Sequence, residues 1–293
     1  MIVYNPKDWL HSVISFQRSE TIKKLYPFLI LMALYSWAIA YIEMEYLKIS
    51  SQSWLRNIPT MHSLLGFVLS ILLVFRTNTA YDRWWEGRKL WGQLTNNSRN
   101  LALRIESLLP ATDHVNRSFF RKSIPLFAST LREHLQSNQT RFMLDEIDHP
   151  EFKHLDENKH GPNQVSSMIF KRTNELYKDG VITGDQLIIL NGELLSFADI
   201  CGACERIKNT PIPFTYTSFI KKFISVYVLS LPYGFVFSLG YFVIPAAVFT
   251  FYVLTSLELI AEEIEDPFGS DSNDLPLGKI TENIRKHVNE ILH

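Results

Sequence analysis

The chain has 293 residues, 29 Lys and Arg against 30 Asp and Glu, a net charge of −1 and a mean hydropathy of +0.00. These averages suit an ordinary soluble protein, and with so even a balance no nucleic-acid partner is expected. The distribution says otherwise. No Asp, Glu, Lys or Arg occurs in residues 25–42, 57–75 or 223–257. A bilayer core takes roughly 20 apolar residues per helix, so the first two stretches each fit one span and the third fits a tight helical hairpin. The competing reading, buried helices of a large soluble domain, normally leaves one charged face on each helix. The sequence therefore predicts an all-α membrane protein with four transmembrane helices, at about 25–43, 58–76, 222–239 and 241–259. A cytoplasmic helical region at about 77–220 and an acidic C-terminal segment at 260–293 complete it.

Orientation follows from the flanking charges. Arg18, Lys23 and Lys24 precede the first span, Arg76, Arg83, Arg88 and Lys89 follow the second, and Lys221 and Lys222 precede the third. Only Lys48 and Arg56 lie between spans one and two. The positive-inside rule then puts both termini and the central region in the cytoplasm of a multi-pass cell-membrane protein. Asp8 and the lack of a cleavage-site pattern argue against a signal peptide. On the cytoplasmic side Cys201 and Cys204 stay reduced, and the Asn-x-Ser/Thr matches at Asn96, Asn116 and Asn138 stay unglycosylated.

Proline is absent between Pro59 and Pro110, and the apolar pattern runs on through Trp84, Trp85, Leu90 and Trp91 to Leu108. This predicts one helix of about 45 residues, on the order of 65 Å long, that projects well beyond the bilayer. Further helices are expected at Ser118–Gln136, with a stripe of Phe119, Phe120, Ile124, Phe127, Leu131 and Leu135, and at Val165–Lys178, ended by Gly180. The polar residues 137–163 between them read as a surface loop. Thr183 with Gln186 makes a capping box, with Ile182 and Leu187 as its staple, for a helix running to Ile207. Thr210-Pro211-Ile212-Pro213 breaks that helix before the third span.

Few residues advertise chemistry. Cys201-Gly202-Ala203-Cys204 is a CxxC, but no βαβ context marks it as a redox motif and no further ligands mark it as a zinc site, so small residues packed closely on a helix are the plainer reading. The nine histidines show no metal-binding spacing and read mostly as solvated surface. Neither a phosphate-cradling glycine loop nor a nucleophile elbow is present, so no enzyme activity is expected. Phe67, Ile71 and Phe75 recur at i, i+4 and i+8 on one face of the second span. Periodicity alone leaves lipid contact, packing between spans, or an apolar pore ring built from several copies of the helix.

Leu64-Leu65-Gly66-Phe67 through Phe75-Arg76, then Arg83-Trp84-Trp85-Glu86 and Leu90-Trp91-Gly92, resembles the second helix of bestrophins. Cys204-Glu205-Arg206-Ile207 leading to Thr210-Pro211-Ile212-Pro213-Phe214 resembles their entry to the third span, and Glu262 to Gly269 with Asp271 and Asp274 their acidic segment. Arg18 to Tyr26 has a counterpart before their first span. The resemblance implies a homopentamer in the lipid bilayer, one central pore for permeant ions, a neck at Phe67, Ile71 and Phe75, and a cytoplasmic aperture at Ile212. It also implies a calcium clasp at Asp271 and Asp274, with Asp266; no other cofactor is required. Ser272 and Asn273 interrupt the family's denser acidic run, and capping of local turns by the same aspartates is the alternative. Passive conduction of small monovalent ions, chloride and other anions by family, is the function implied. A sodium-permeable channel of the same build is the runner-up, because uncharged rings do not choose a sign. A membrane-anchored redox or metal protein using Cys201 and Cys204 is the alternative of another class. A secondary transporter is disfavoured, since coupling groups are expected inside the spans and His62, the one titratable group of that kind there, sits close to the outer end.

Overall fold

The computed structural model describes residues 20–46, 57–136, 156 and 159–292. Arg18, Lys48, Arg56, Asn138 and most of the loop expected at 137–163 lie outside the described residues. Among the described residues every regular element is helical. α1 (Glu20–Tyr41) continues through a π turn at Ile42–Tyr46. α2 (Ile58–Leu108) runs 51 residues without a break, with Pro59 in its first turn, where a missing N–H costs nothing, and Pro110 just beyond its end. It spans about 75 Å.

α3 (His114–Gln136) starts four residues before the Ser118 expected, because Asp113 Oδ1 accepts the Asn116 N–H at 3.1 Å and caps the first turn. α4 (Gly161–Lys178) likewise starts before Val165: the His160 side chain caps it and Pro162 sits in its first turn. α5 (Gly184–Asn209) carries the expected capping box, with Thr183 N donating to Gln186 Oε1 at 2.8 Å and Gln186 N to Thr183 Oγ1 at 3.4 Å. α6 (Phe214–Leu239) begins immediately after Pro213. A 3₁₀ turn at Gly240–Phe242 joins it to α7 (Val243–Glu265), and Gly240 takes the left-handed φ of 54° that the reversal needs. α8 (Leu277–Ile291) closes the chain.

The helices divide between two compact units, α2 passing from one to the other at Asp82 and Arg83. The first holds α1, the start of α2, α6 and α7, around Met32, Ala40, Leu69, Leu73, Ile220, Ile224, Val228 and Ala247. α7 packs on both α1 and α6. Gly234 lets α6 approach the start of α2, since a Cβ there would stand 2.6 Å from Ile58 Cγ2. The second unit holds the rest of α2 with α3, α4, α5 and α8, and its core is built from Trp91, Leu94, Phe120, Phe127, Ile169, Phe197 and Phe268, among others.

Among the described residues, four helical stretches are long and apolar enough to cross a membrane: Thr21–Tyr46, Ile58–Leu108, Gly184–Asn209 and Phe214–Glu265. The last is the α6–α7 hairpin, so length and composition count two helices as one and include α5, which the sequence reading left outside the membrane. Packing argues for leaving α5 there. Leu190, Leu194, Phe197, Ile200 and Ile207 are core residues of the second unit, Phe197 stacks on Phe127 at 4.9 Å, and its Glu193 and Arg206 pair with Arg104 and Glu86. One apolar face of α5 is thus buried against neighbouring helices of the second unit, while Ile188, Ile189 and Leu195 stay exposed.

Candidate functional site

On the part of α2 in the first unit the buried positions are His62, Leu69, Leu73, Arg76 and Ala80, which pack toward the chain's own helices. At 100° per residue they share one side of the helix. Phe67, Ile71 and Phe75 occupy the opposite side and are 65%, 41% and 60% exposed. Asn78 continues their face one turn further on and is also exposed. The three residues are thus not used to pack this chain's own helices together.

Ile212 is half-buried between Pro211 and Pro213, whose fixed φ angles stiffen the segment. Its backbone N–H donates to Glu265 Oε1 at 2.7 Å. The other oxygen of Glu265 lies 2.7 Å from Arg76 Nη1, and Arg76 Nε donates to Glu258 Oε1 at 3.4 Å. Arg76 is wholly buried, so two carboxylates offset one desolvated guanidinium. Arg76 and Glu258 bound the charge-free stretches 57–75 and 223–257, at the ends of the expected spans, and both are buried because each has a partner there. His62, buried near the start of α2, has Nε2 3.2 Å from the Tyr227 carbonyl and 3.1 Å from Ser230 Oγ.

The turn at 266–274 is largely self-capped. Asp266 Oδ1 accepts the Phe268 N–H at 3.4 Å and Asp274 Oδ2 the Asp271 N–H at 2.5 Å. Trp84 Nε1 of α2 donates to the Asn273 carbonyl at 3.0 Å, and Gln136 Nε2 to that of Gly269 at 3.1 Å. Asp266, Asp271 and Asp274 do not assemble into a three-carboxylate cluster among the described residues. Asp274 nonetheless keeps one buried oxygen, Oδ1, without a partner, and burial pushes its carboxyl up to about 6. A hard cation is an apt partner for that oxygen. Asp274 Oδ1 thus fits contact with a calcium ion, without a cluster of three aspartates to share it.

Cys201 and Cys204 are core residues, and burial pushes the Cys201 thiol up to about 12, away from redox reactivity. The close-packing reading of the CxxC holds for the two cysteines but not for Gly202, which faces open space. One cluster escaped the sequence reading altogether. His134 of α3, His160 at the start of α4 and Glu205 of α5 bring their ligand atoms within 4.8 Å of one another. Burial lowers His134 below the ordinary imidazole value. No spacing rule could find residues drawn from three helices.

A helical bundle with spans of this length, a hairpin of two more and an unpacked apolar stripe on its longest helix defines an integral membrane protein. The family described as Bacterial/Fungal Bestrophin protein matches residues 1–290. A voltage-dependent anion channel-forming protein of Nostoc is 34% identical over 244 residues, 80% of each chain. The voltage-dependent anion channel-forming protein YneE of Escherichia coli K12 is 31% identical over 281 residues, covering 96% of this chain and 90% of that protein. The structure of a variant bacterial bestrophin homologue from Klebsiella pneumoniae superimposes with a TM-score of 0.82 at 27% identity, covering 91% of this chain and 97% of the other. The chain belongs to the bestrophin family.

Proposed function

We propose that the protein is an anion channel, a homopentamer in which five α2 helices surround one pore. The observation that carries this reading is the Phe67–Ile71–Phe75 face, exposed on the side of α2 opposite its packed residues and continued by Asn78. Stacked apolar rings of this kind gate by dewetting and conduct when they widen slightly. Ile212, fixed by two prolines and by Glu265, forms the second constriction, at the cytoplasmic aperture. Two relatives named as voltage-dependent anion channel-forming proteins support the ion class.

On this reading α1, the first part of α2, α6 and α7 are the spans, and the second unit is cytoplasmic. Lys23, Lys24, Arg83, Arg88, Lys89, Lys221 and Lys222 flank the spans on that side and put both termini in the cytoplasm of a bacterial inner membrane. Conduction is passive and needs no catalytic group. Calcium, when bound, would neutralise the buried carboxylate of Asp274; Asp274 and neighbouring carbonyls would hold it. Reversal potentials of the purified protein in bilayers under asymmetric potassium chloride test the selectivity: a shift toward the chloride potential is expected, and one toward the potassium potential would make this a cation channel. Oligomer mass in detergent tests the assembly, since a monomer has no such pore.

A further inference from the structure

The strongest unassigned constellation lies in the second unit. His134 Nε2 stands 2.6 Å and His160 Nε2 2.5 Å from the same oxygen of Glu205, Oε1. The two imidazole centroids are 4.4 Å apart and the rings are tilted by 52°. All three side chains are half-buried, so water can complete a coordination sphere. We propose that His134, His160 and Glu205 form a site for a divalent transition-metal ion, zinc by the chemistry of the donors.

Two imidazole nitrogens and a carboxylate oxygen are a zinc donor set with a fourth position left for water, whereas calcium and magnesium prefer oxygen alone. Ligand atoms around a tetrahedral zinc stand about 3.3 Å apart, so the ion enters once the two rings withdraw by less than about 1 Å. Without metal, two N–H groups converge on one carboxylate oxygen; with metal, each imidazole stays neutral with its proton on Nδ1, and both Nε2 lone pairs and the carboxylate share the ion. One feature opposes binding. His160 Nδ1 accepts the Asn163 N–H at 3.1 Å as the cap of α4, which puts the His160 proton on Nε2, facing Glu205. The metal requires the other tautomer, so the cap is lost, and binding is weakened about fivefold against a site with free outer nitrogens. Lys208, whose Nζ donates to the His134 carbonyl at 3.2 Å, adds a nearby positive charge. A site of moderate affinity results, one that clips α3, α4 and α5 together when filled.

The test uses the full chain, purified in detergent and stripped with a chelator. Zinc is titrated in competition with a chromophoric chelator, and cobalt(II) is added as a spectroscopic probe. One zinc per chain is expected, with visible cobalt bands and no near-ultraviolet thiolate band. Glu205→Gln keeps an acceptor for both imidazoles and so preserves the fold, yet should weaken binding at least tenfold, as should His134→Ala and His160→Ala. Cys201→Ala with Cys204→Ala should change nothing. Absence of stoichiometric binding, affinity unchanged in all three ligand variants (an adventitious ion only), or a cobalt–thiolate band would each overturn the assignment.

Discussion

The backbone N–H of Ile212 donates to Glu265 at 2.7 Å, and the second oxygen of that carboxylate lies 2.7 Å from the buried guanidinium of Arg76. One side chain at the end of α7 therefore ties the proline-flanked segment to the α2 position that follows Phe75. Glu265→Ala leaves Arg76 with Glu258 alone and should cost about 3–5 kcal/mol, the usual loss on breaking a buried pair. Glu265→Gln, which can still accept from Ile212, should cost less. The exposed pair Lys221–Glu262 is the control, with Glu262→Ala changing stability by about 0.5 kcal/mol or less. Thermal unfolding in detergent, followed by intrinsic fluorescence, orders the three variants.

If α2 lines a pore, Ile71→Ala removes part of an apolar barrier and enlarges the single-channel current. A lipid-facing Ile71 would leave conductance and gating unchanged in the same recordings. Phe67→Ala and Phe75→Ala should act in the same direction, because both residues share that face.

Neither cysteine should react in the folded protein. With the Cys201 thiol held near about 12, roughly one molecule in ten thousand is thiolate at pH 8, and both sulfurs are buried. Maleimide labelling followed by mass spectrometry should find modification only after denaturation. The double Cys→Ala variant should conduct as the parent does.

Glycines offer a paired test of packing. Gly234→Ala drives a methyl group into Ile58 and should destabilise by about 1–3 kcal/mol. Gly202→Ala meets nothing within 4 Å in the chain and should stabilise α5 by about 0.5–1 kcal/mol. A loss of stability at Gly202 would reveal the close approach of another subunit there.

Calcium binding at the 266–274 turn predicts that adding calcium raises the apparent melting temperature of the parent and not of Asp274→Asn. An equal rise in both would place the ion elsewhere.

The membrane character, the length of α2 and the start of α5 were legible along the chain because each is a local property. Runs without charge at 25–42, 57–75 and 223–257, the absence of proline between Pro59 and Pro110, and the Thr183–Gln186 box need no knowledge of neighbours. Spacing also put Phe67, Ile71 and Phe75 on one face, although only the fold showed that this face is opposite the packed one. Other features had no local signature. α5 is apolar enough to be a span, and its place in the second core was settled by Phe127, Leu131 and Ile169 from other helices. Glu265 meets Arg76 and Ile212 from 189 and 53 residues away, and His134, His160 and Glu205 converge from three helices. Periodicity fixes which side of a helix a residue occupies; only packing in three dimensions decides what that side touches.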